Sequence, residues 1–219
     1  YCVGTFLSFL LHNFIERAQY VFRKKYGRDI PPELAPYITL ADAEKTCAYK
    51  DARYRLWVFE YGASTVLGAA LLLSGFYPHV FRALKSVSDN PYALTFIFAL
   101  TVSIPSAVLS LPFEWYEEFV IEKRFGFSSM TLRLWIADKL KSIALALIVS
   151  VLLLSAMTAI FEHVSAWPFV LASVYVAFSL LMSFIYPHLI APLFNKFTPL
   201  GEGELKSRIS DFMERTGFK

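Results

Sequence analysis

The chain has little charge, little cysteine and no recognisable metal or phosphate motif. Asp, Glu, Lys and Arg supply 18% of its 219 residues, while 56% are hydrophobic and 17% aromatic. Soluble globular domains carry about 25% charged residues, so these proportions, with a mean hydropathy of +0.48, exclude an ordinary water-exposed fold and point to a polytopic membrane protein. The two cysteines are Cys2, in an apolar run, and Cys47, in a polar segment, so no disulfide framework is expected. Without a C-x-x-C pair, a thiolate zinc site is not expected either. The four histidines, His12, His79, His163 and His188, are each followed by a residue other than Glu. H-E-x-x-H, which puts two zinc ligands and a general base on one helix face, is therefore absent. G-x-S-x-G and a glycine-rich phosphate loop are missing too. No short apolar run with basic residues before it ends at a small-residue cleavage site, so no secretory signal peptide is expected.

What is present is length in apolar runs. Four stretches, approximately Trp57–Tyr77, Tyr92–Trp115, Ile143–Phe161 and Trp167–Tyr186, are each about long enough to cross a hydrocarbon core as a helix. They are apolar on all sides and do not alternate, which argues against strands. Aromatic residues at their ends (Trp57, Tyr77, Tyr92, Trp115, Trp167, Tyr186) suit an interfacial belt. An opening run, Tyr1 to Phe14, is shorter than the roughly 20 residues a span needs and reads as a truncated first helix. The expected fold is all-α, a membrane helical bundle of five spans with the first truncated. The chain is expected to be a fragment of a larger protein.

Lys and Arg are distributed very unevenly between the loops. The segments 13–56, 116–142 and 187–219 hold nine, five and five of them, against two in 78–91 and none in 162–166. With five crossings, nineteen lie on one side and two on the other, a positive-inside signal that puts the N-terminus outside and the tail in the cytoplasm. These basic residues share their loops with acids, so they read as a topology signal and no nucleic-acid partner is expected. Thr39 before Leu40-Ala41-Asp42 resembles a capping box, from which one helix runs unbroken into the second span. In the tail, Leu205, Ile209, Phe212 and Met213 share one helical face, and Gly217 is a natural stop.

Between the last span and that helix lies a proline-broken connector, Tyr186 to Leu200. It reads as a poor helix interior, yet its large apolar side chains (Leu189, Ile190, Leu193, Phe194, Phe197, Leu200) predict that it packs against something. The expected division is 1–187 as the membrane region and 188–219 as the connector plus the first amphipathic helix of a truncated cytoplasmic catalytic domain.

Several polar residues are site candidates. Glu60 lies about one turn inside the second span, where an ionisable group faces a cavity or a partner; the partners within reach are Arg53 and Arg55. Glu114, Glu117 and Glu118 cluster where the third span ends, either at the mouth of a polar chamber or on a solvated helix end. Glu122 and Arg124 are placed to orient a loop through charge-assisted hydrogen bonds. Pro105 and Pro112 in the third span predict kinks.

Two segments resemble one known family. Leu111-Pro-Phe-Glu-Trp-Tyr-Glu-Glu-Phe-Val-Ile-Glu-Lys-Arg-Phe-Gly-Phe127 resembles the L-P, F-V-I-E and G-F segment of type 1 CAAX prenyl proteases. Tyr186-Pro, then Ile190-Ala-Pro-Leu-Phe-Asn-Lys-Phe-Thr-Pro-Leu200 and Glu202-Gly-Glu-Leu205, is similar to their second signature almost residue for residue, and Pro31-Pro32-Glu33-Leu34 looks like their first cytoplasmic loop. The resemblance implies the five-helix N-terminal part of a membrane zinc metalloendopeptidase whose seven helices enclose a chamber. It implies zinc held by residues beyond Lys219. It also implies a peptide or prenylated CAAX protein as substrate, a missing C-terminal catalytic region as partner, and the endoplasmic reticulum or a bacterial inner membrane as location. No catalytic or metal residue is expected in the chain itself. Glu122, Arg124, Asn195 and Lys196 are expected to brace the chamber and the connector, with Asn195 alternatively reaching toward a substrate backbone. One departure stands out: the family often has H-G-F-N where this chain has Phe125-Gly126-Phe127-Ser128, so a polar role is lost at Phe125, while Ser128 can still cap a helix beginning at Met130-Thr131. The alternative from another class is a non-catalytic membrane scaffold or transporter-like bundle, supported by the missing metal motif and by Ser64 and Gly68, whose spacing permits close helix packing.

Overall fold

Thr39 and Asp42 start a 34-residue helix by exchanging bonds. The Asp42 N–H donates to Thr39 Oγ1 at 3.2 Å, and the Thr39 N–H donates to Asp42 Oδ2 at 3.0 Å, so two otherwise unpaired donors are satisfied at once. In this computed structural model, which describes residues 2–195, 198 and 200–217, that helix is α2, Leu40–Leu73. It joins the polar segment to the apolar span without a break, as its uninterrupted pattern predicts.

The other helices are α1 (Cys2–Tyr26), α3 (Phe76–Lys85), α4 (Pro91–Tyr116), α5 (Lys123–Phe125), α6 (Leu132–His163), α7 (Trp167–Ile185), α8 (Ala191–Phe194) and α9 (Glu204–Thr216). Two π turns are inserted among them, Glu117–Glu122 and Tyr186–Ile190. There is no strand among the described residues. Among the described residues four helical stretches are long and apolar enough to cross a membrane: Leu40–Leu73, Pro91–Phe125, Leu132–His163 and Trp167–Phe194.

Three boundaries differ from the sequence expectation. Helix α1 runs on to Tyr26, through the basic residues assigned to a loop. The second span stops at Leu73 rather than Tyr77, because Gly75 turns left-handed (φ +70) and α3 restarts at Phe76. The connector is helical as far as Phe194. Pro187 is the second residue of this π turn, in which the Ala191 N–H passes over the Pro187 carbonyl and donates to that of Tyr186.

The packing falls into two units, Tyr1–Ala159 and Ile160–Lys219. In the first unit α1 packs along α2, α2 meets α3, α4 and the first π turn, and α3 packs on α4. Leu94 and Ile121 are the buried hydrophobic residues among those described, and large apolar side chains elsewhere face outward. That is the economy of a membrane helix, whose apolar surface is solvated by lipid and whose neighbours are held by close packing and polar bonds. In the second unit α7 continues through the π turn into α8, and Phe161 packs on Trp167 at 4.7 Å between ring centres. Among the connector's described apolar residues Ile190 and Phe194 are half-buried, while Leu189, Leu193 and Leu200 are exposed.

Candidate functional site

The polar contacts between α1 and α2 concentrate on one carboxylate. Asp51 is buried at 6% exposure; it accepts from Arg23 Nε at 3.1 Å and pairs with Lys24 Nζ at 2.6 Å. A buried lone carboxylate is costly, and two cations from the neighbouring helix offset that cost. The Asp51 hydrogen bond in turn holds the Lys24 ammonium above its usual pKa. One turn on, Cys47 Sγ donates to the Gly27 carbonyl at 3.2 Å. A Cβ at Gly27 would stand 2.5 Å from that sulfur, so the end of α1 fits there only as glycine.

The acidic residues at the end of α4 gather at one place. The α-helix gives way to a π turn at Glu117, and Glu114, Glu117, Glu118 and Glu122 all line a cavity of about 590 Å³. Phe127, Met130, Leu134 and Trp135 form its apolar wall. Each of the four carboxylates has a partner from another element. Lys139 of α6 reaches Glu114, and Ser128 Oγ donates to Glu118. Arg53 of α2 pairs with Glu117 at 2.5 Å. Tyr49 of α2 donates its hydroxyl to Glu122 at 2.5 Å and receives Arg53 Nη1 at 3.3 Å. A chain Glu117–Arg53–Tyr49–Glu122 thus fastens both ends of the π turn to the polar half of α2.

The turn closes on glycine. Gly126 is left-handed (φ +79), its N–H donates to the Lys123 carbonyl at 3.1 Å, and the Phe127 N–H donates to the Glu122 carbonyl at 2.9 Å, the paired bonds of a Schellman stop. Phe125 and Phe127 then meet the Tyr49 ring edge-on, at 5.5 and 4.9 Å. Phe125, at the position where a histidine was noted as frequent, therefore helps hold the tyrosine that binds Glu122.

The candidate residues divide accordingly. Glu114 and Glu122 are at the cavity, paired as described. Arg124 is exposed and lies 5.8 Å from the Phe125 ring centre, while Glu122 is bonded by Tyr49. Glu60 is half-buried in a second cavity of about 300 Å³, shared with Arg23, Lys50, Arg53, Trp57 and Glu117. Arg53, a partner considered for it, is taken by Glu117 instead. Asn195 is exposed at the end of α8, its side-chain amide donating to the Ala191 carbonyl at 3.4 Å. Lys196 and Phe197 lie outside the described residues. Ser128 does not cap α6. It accepts from the Met130 N–H at 3.0 Å, and Thr131 caps the helix, taking the Leu134 N–H on its hydroxyl at 3.3 Å and the Trp135 N–H on its carbonyl at 2.9 Å. Tyr49 and the Arg53–Glu117 pair escape sequence reading because both join segments more than sixty positions apart, and no local spacing signals them.

Long apolar helices with an acid-lined, open cavity at the end of one of them define a polytopic helical membrane protein. The comparisons narrow the class. The family model described as the CAAX prenyl protease N-terminal region, with five membrane helices, matches residues 19–196, and the chain belongs to that family. It is 35% identical over 153 residues to CAAX prenyl protease 1 of Saccharomyces cerevisiae, an alignment covering 68% of this chain and 32% of that protein. It is 33% identical over 195 residues to the Homo sapiens homolog, covering 82% and 40%. The crystal structure of S. mikatae Ste24p superposes with a TM-score of 0.82 at 26% identity, over 98% of this chain and 51% of that one. The chain thus spans less than half the length of these two curated relatives.

Proposed function

We propose that this chain forms the membrane walls of an endopeptidase that trims the C-terminus of prenylated CAAX proteins, and that the groups performing hydrolysis lie in sequence outside it. The family match over residues 19–196 carries this reading, because it spans both cavity-forming segments. The metal such a protease uses does not fit the residues present: no group of three or more His, Cys, Asp or Glu able to hold an ion occurs among the described residues. The four cavity carboxylates are committed to Lys139, Arg53, Ser128 and Tyr49. What they do instead is mechanical. They hold the end of α4, the start of α6 and the polar half of α2 at fixed separations, which keeps an acid-lined compartment open beside apolar walls. Such a compartment accepts a peptide on its polar side and aliphatic surface on the other. The zinc of the whole enzyme would be held by a H-E-x-x-H helix outside this chain.

The Lys and Arg asymmetry supports a cytoplasmic placement of the loops at residues 13–56 and 116–142 and of the tail. The eukaryotic sources of the relatives compared above support the endoplasmic reticulum as the membrane.

The test is a cleavage assay on the protein of the full reading frame, with a farnesylated peptide ending in a CAAX sequence. Release of the terminal tripeptide, abolished by chelation and restored by zinc, is the expected result. A full-length protein without H-E-x-x-H, or one that leaves the peptide intact, overturns the protease reading in favour of a non-catalytic membrane bundle.

A further inference from the structure

Helix α1 has a second face, turned away from α2, that the reading above does not use. Tyr20 stacks on Tyr54 at 4.9 Å and Phe9 on Tyr61 at 5.4 Å, so the two helices run antiparallel and Arg17 falls near the level of Trp57. Trp57 opens the apolar half of α2, which sets the edge of the hydrocarbon there. On the outer face of α1 a groove of about 440 Å³ runs along Phe14, Ala18, Val21 and Phe22, with Arg17 and Lys25 on its rim. The small Ala18 lies at the midpoint of this row, flanked by larger side chains.

The two cations are unlike their neighbours on the inner face. Arg23 and Lys24 are committed to Asp51. Arg17 is exposed and has no carboxylate partner among the described residues, and Lys25 has only the Tyr26 ring, 4.9 Å from its ammonium. They stand eight positions apart, about 12 Å along the helix, so with Arg17 at the hydrocarbon edge Lys25 reaches the headgroup layer by folding its long side chain back toward it. A guanidinium at the hydrocarbon edge needs an anionic partner, and its planar fork matches phosphate.

We propose that this face is a binding site for an anionic phospholipid. The phosphate sits on Arg17, a further headgroup charge faces Lys25 across Ala18 and Val21, and an acyl chain runs inward past Phe14 toward the bilayer centre. The occupant comes from the leaflet on the side of the basic loops. Charge is what selects it: a zwitterionic headgroup brings its own cation to a rim that already carries two. The site is independent of the peptidase reading, since none of its residues touches the acidic cavity.

The experiment uses the full-length protein in nanodiscs of phosphatidylcholine with a minor fraction of phosphatidylserine, with retained lipid counted by native mass spectrometry. The expected result is enrichment of phosphatidylserine over phosphatidylcholine. Arg17→Gln and Lys25→Gln each lower that enrichment by about fivefold, the usual weight of one cation at an anionic surface, while Arg17→Lys keeps part of it. Equal retention of both lipids overturns the proposal, as does a double Gln variant that still enriches phosphatidylserine. A shift of oligomeric state on Arg17→Gln also overturns it, by showing that a second copy and not lipid covers the face.

Discussion

The chain's two π turns use one backbone device in opposite surroundings. Both fall in the segments whose residues carry the family resemblance, and both follow directly on a membrane-spanning helix. The first, Glu117–Glu122, is held from outside: Tyr49 and Arg53 of α2 take its two ends and Ile121 is buried at 4% exposure. The second, Tyr186–Ile190, is held by its own chain. His188 Nδ1 lies 2.8 Å from the Phe184 carbonyl, its ring stacks on Phe184 at 4.8 Å, and Tyr186 and Leu189 are exposed. In the first turn the wider winding brings four carboxylates to one cavity. In the second it lets a helix pass through Pro187. A π turn is thus no single functional signal; what it does depends on whether neighbouring elements grip it.

If the first turn is gripped from outside, its buried anchor carries the largest effect. Ile121→Ala removes the one buried apolar side chain of the turn, and comparable core truncations cost about 2–5 kcal/mol. Unfolding in detergent by added dodecyl sulfate, followed by circular dichroism, should show the loss; a variant as stable as the parent would mean that the turn is self-supporting like the second. Gly126→Ala comes next. A Cβ there meets no atom within 4 Å, so the cost is purely that of the left-handed backbone, about 1–2 kcal/mol. Because the Schellman bonds would loosen with it, amide exchange at Phe127 should accelerate, and unchanged protection there would count against the stop. Tyr49→Phe keeps both ring contacts with Phe125 and Phe127 and removes the donor to Glu122. For a half-buried carboxylate the expected cost is about 1 kcal/mol. The added substitution Glu122→Gln should then cost little more, since the two groups act as a pair. Additive losses would show that they do not.

The contrast between the turns also marks how far the sequence could be read. Class, the four full spans and the long α2 were legible because they rest on composition, run length and a local cap, Thr39 with Asp42. The tail helix, ending at left-handed Gly217, was legible for the same reason. What escaped was set by neighbours. Proline counts against a helix at Pro187, and only a shift in the bonding pattern reverses that reading. The acids at Glu114–Glu118 were seen as a cluster, but their partners Lys139, Arg53 and Ser128 come from other elements. For Glu60 the sequence offers Arg53 or Arg55 by proximity, whereas in the fold Glu117 takes the Arg53 guanidinium.

The smallest effect is expected at Pro187, and it is the sharpest test of the second turn. In the interior of an α-helix a proline costs about 3 kcal/mol relative to alanine, so Pro187→Ala would stabilise strongly if the helix were merely tolerating it. Pro187 stands at the start of a π turn and not within regular α-helix, with the Ala191 N–H on the Tyr186 carbonyl. The substitution should therefore change stability by less than about 1 kcal/mol, because the strain that alanine would relieve is largely absent. A π turn kept by its own side chains, through His188 on Phe184, should persist in the variant, with slow exchange at the Ala191 amide. If Pro187→Ala instead gains about 3 kcal/mol, the proline imposes the turn. The two turns would then differ in origin as well as in support: one drawn open by Tyr49 and Arg53, the other forced open from within.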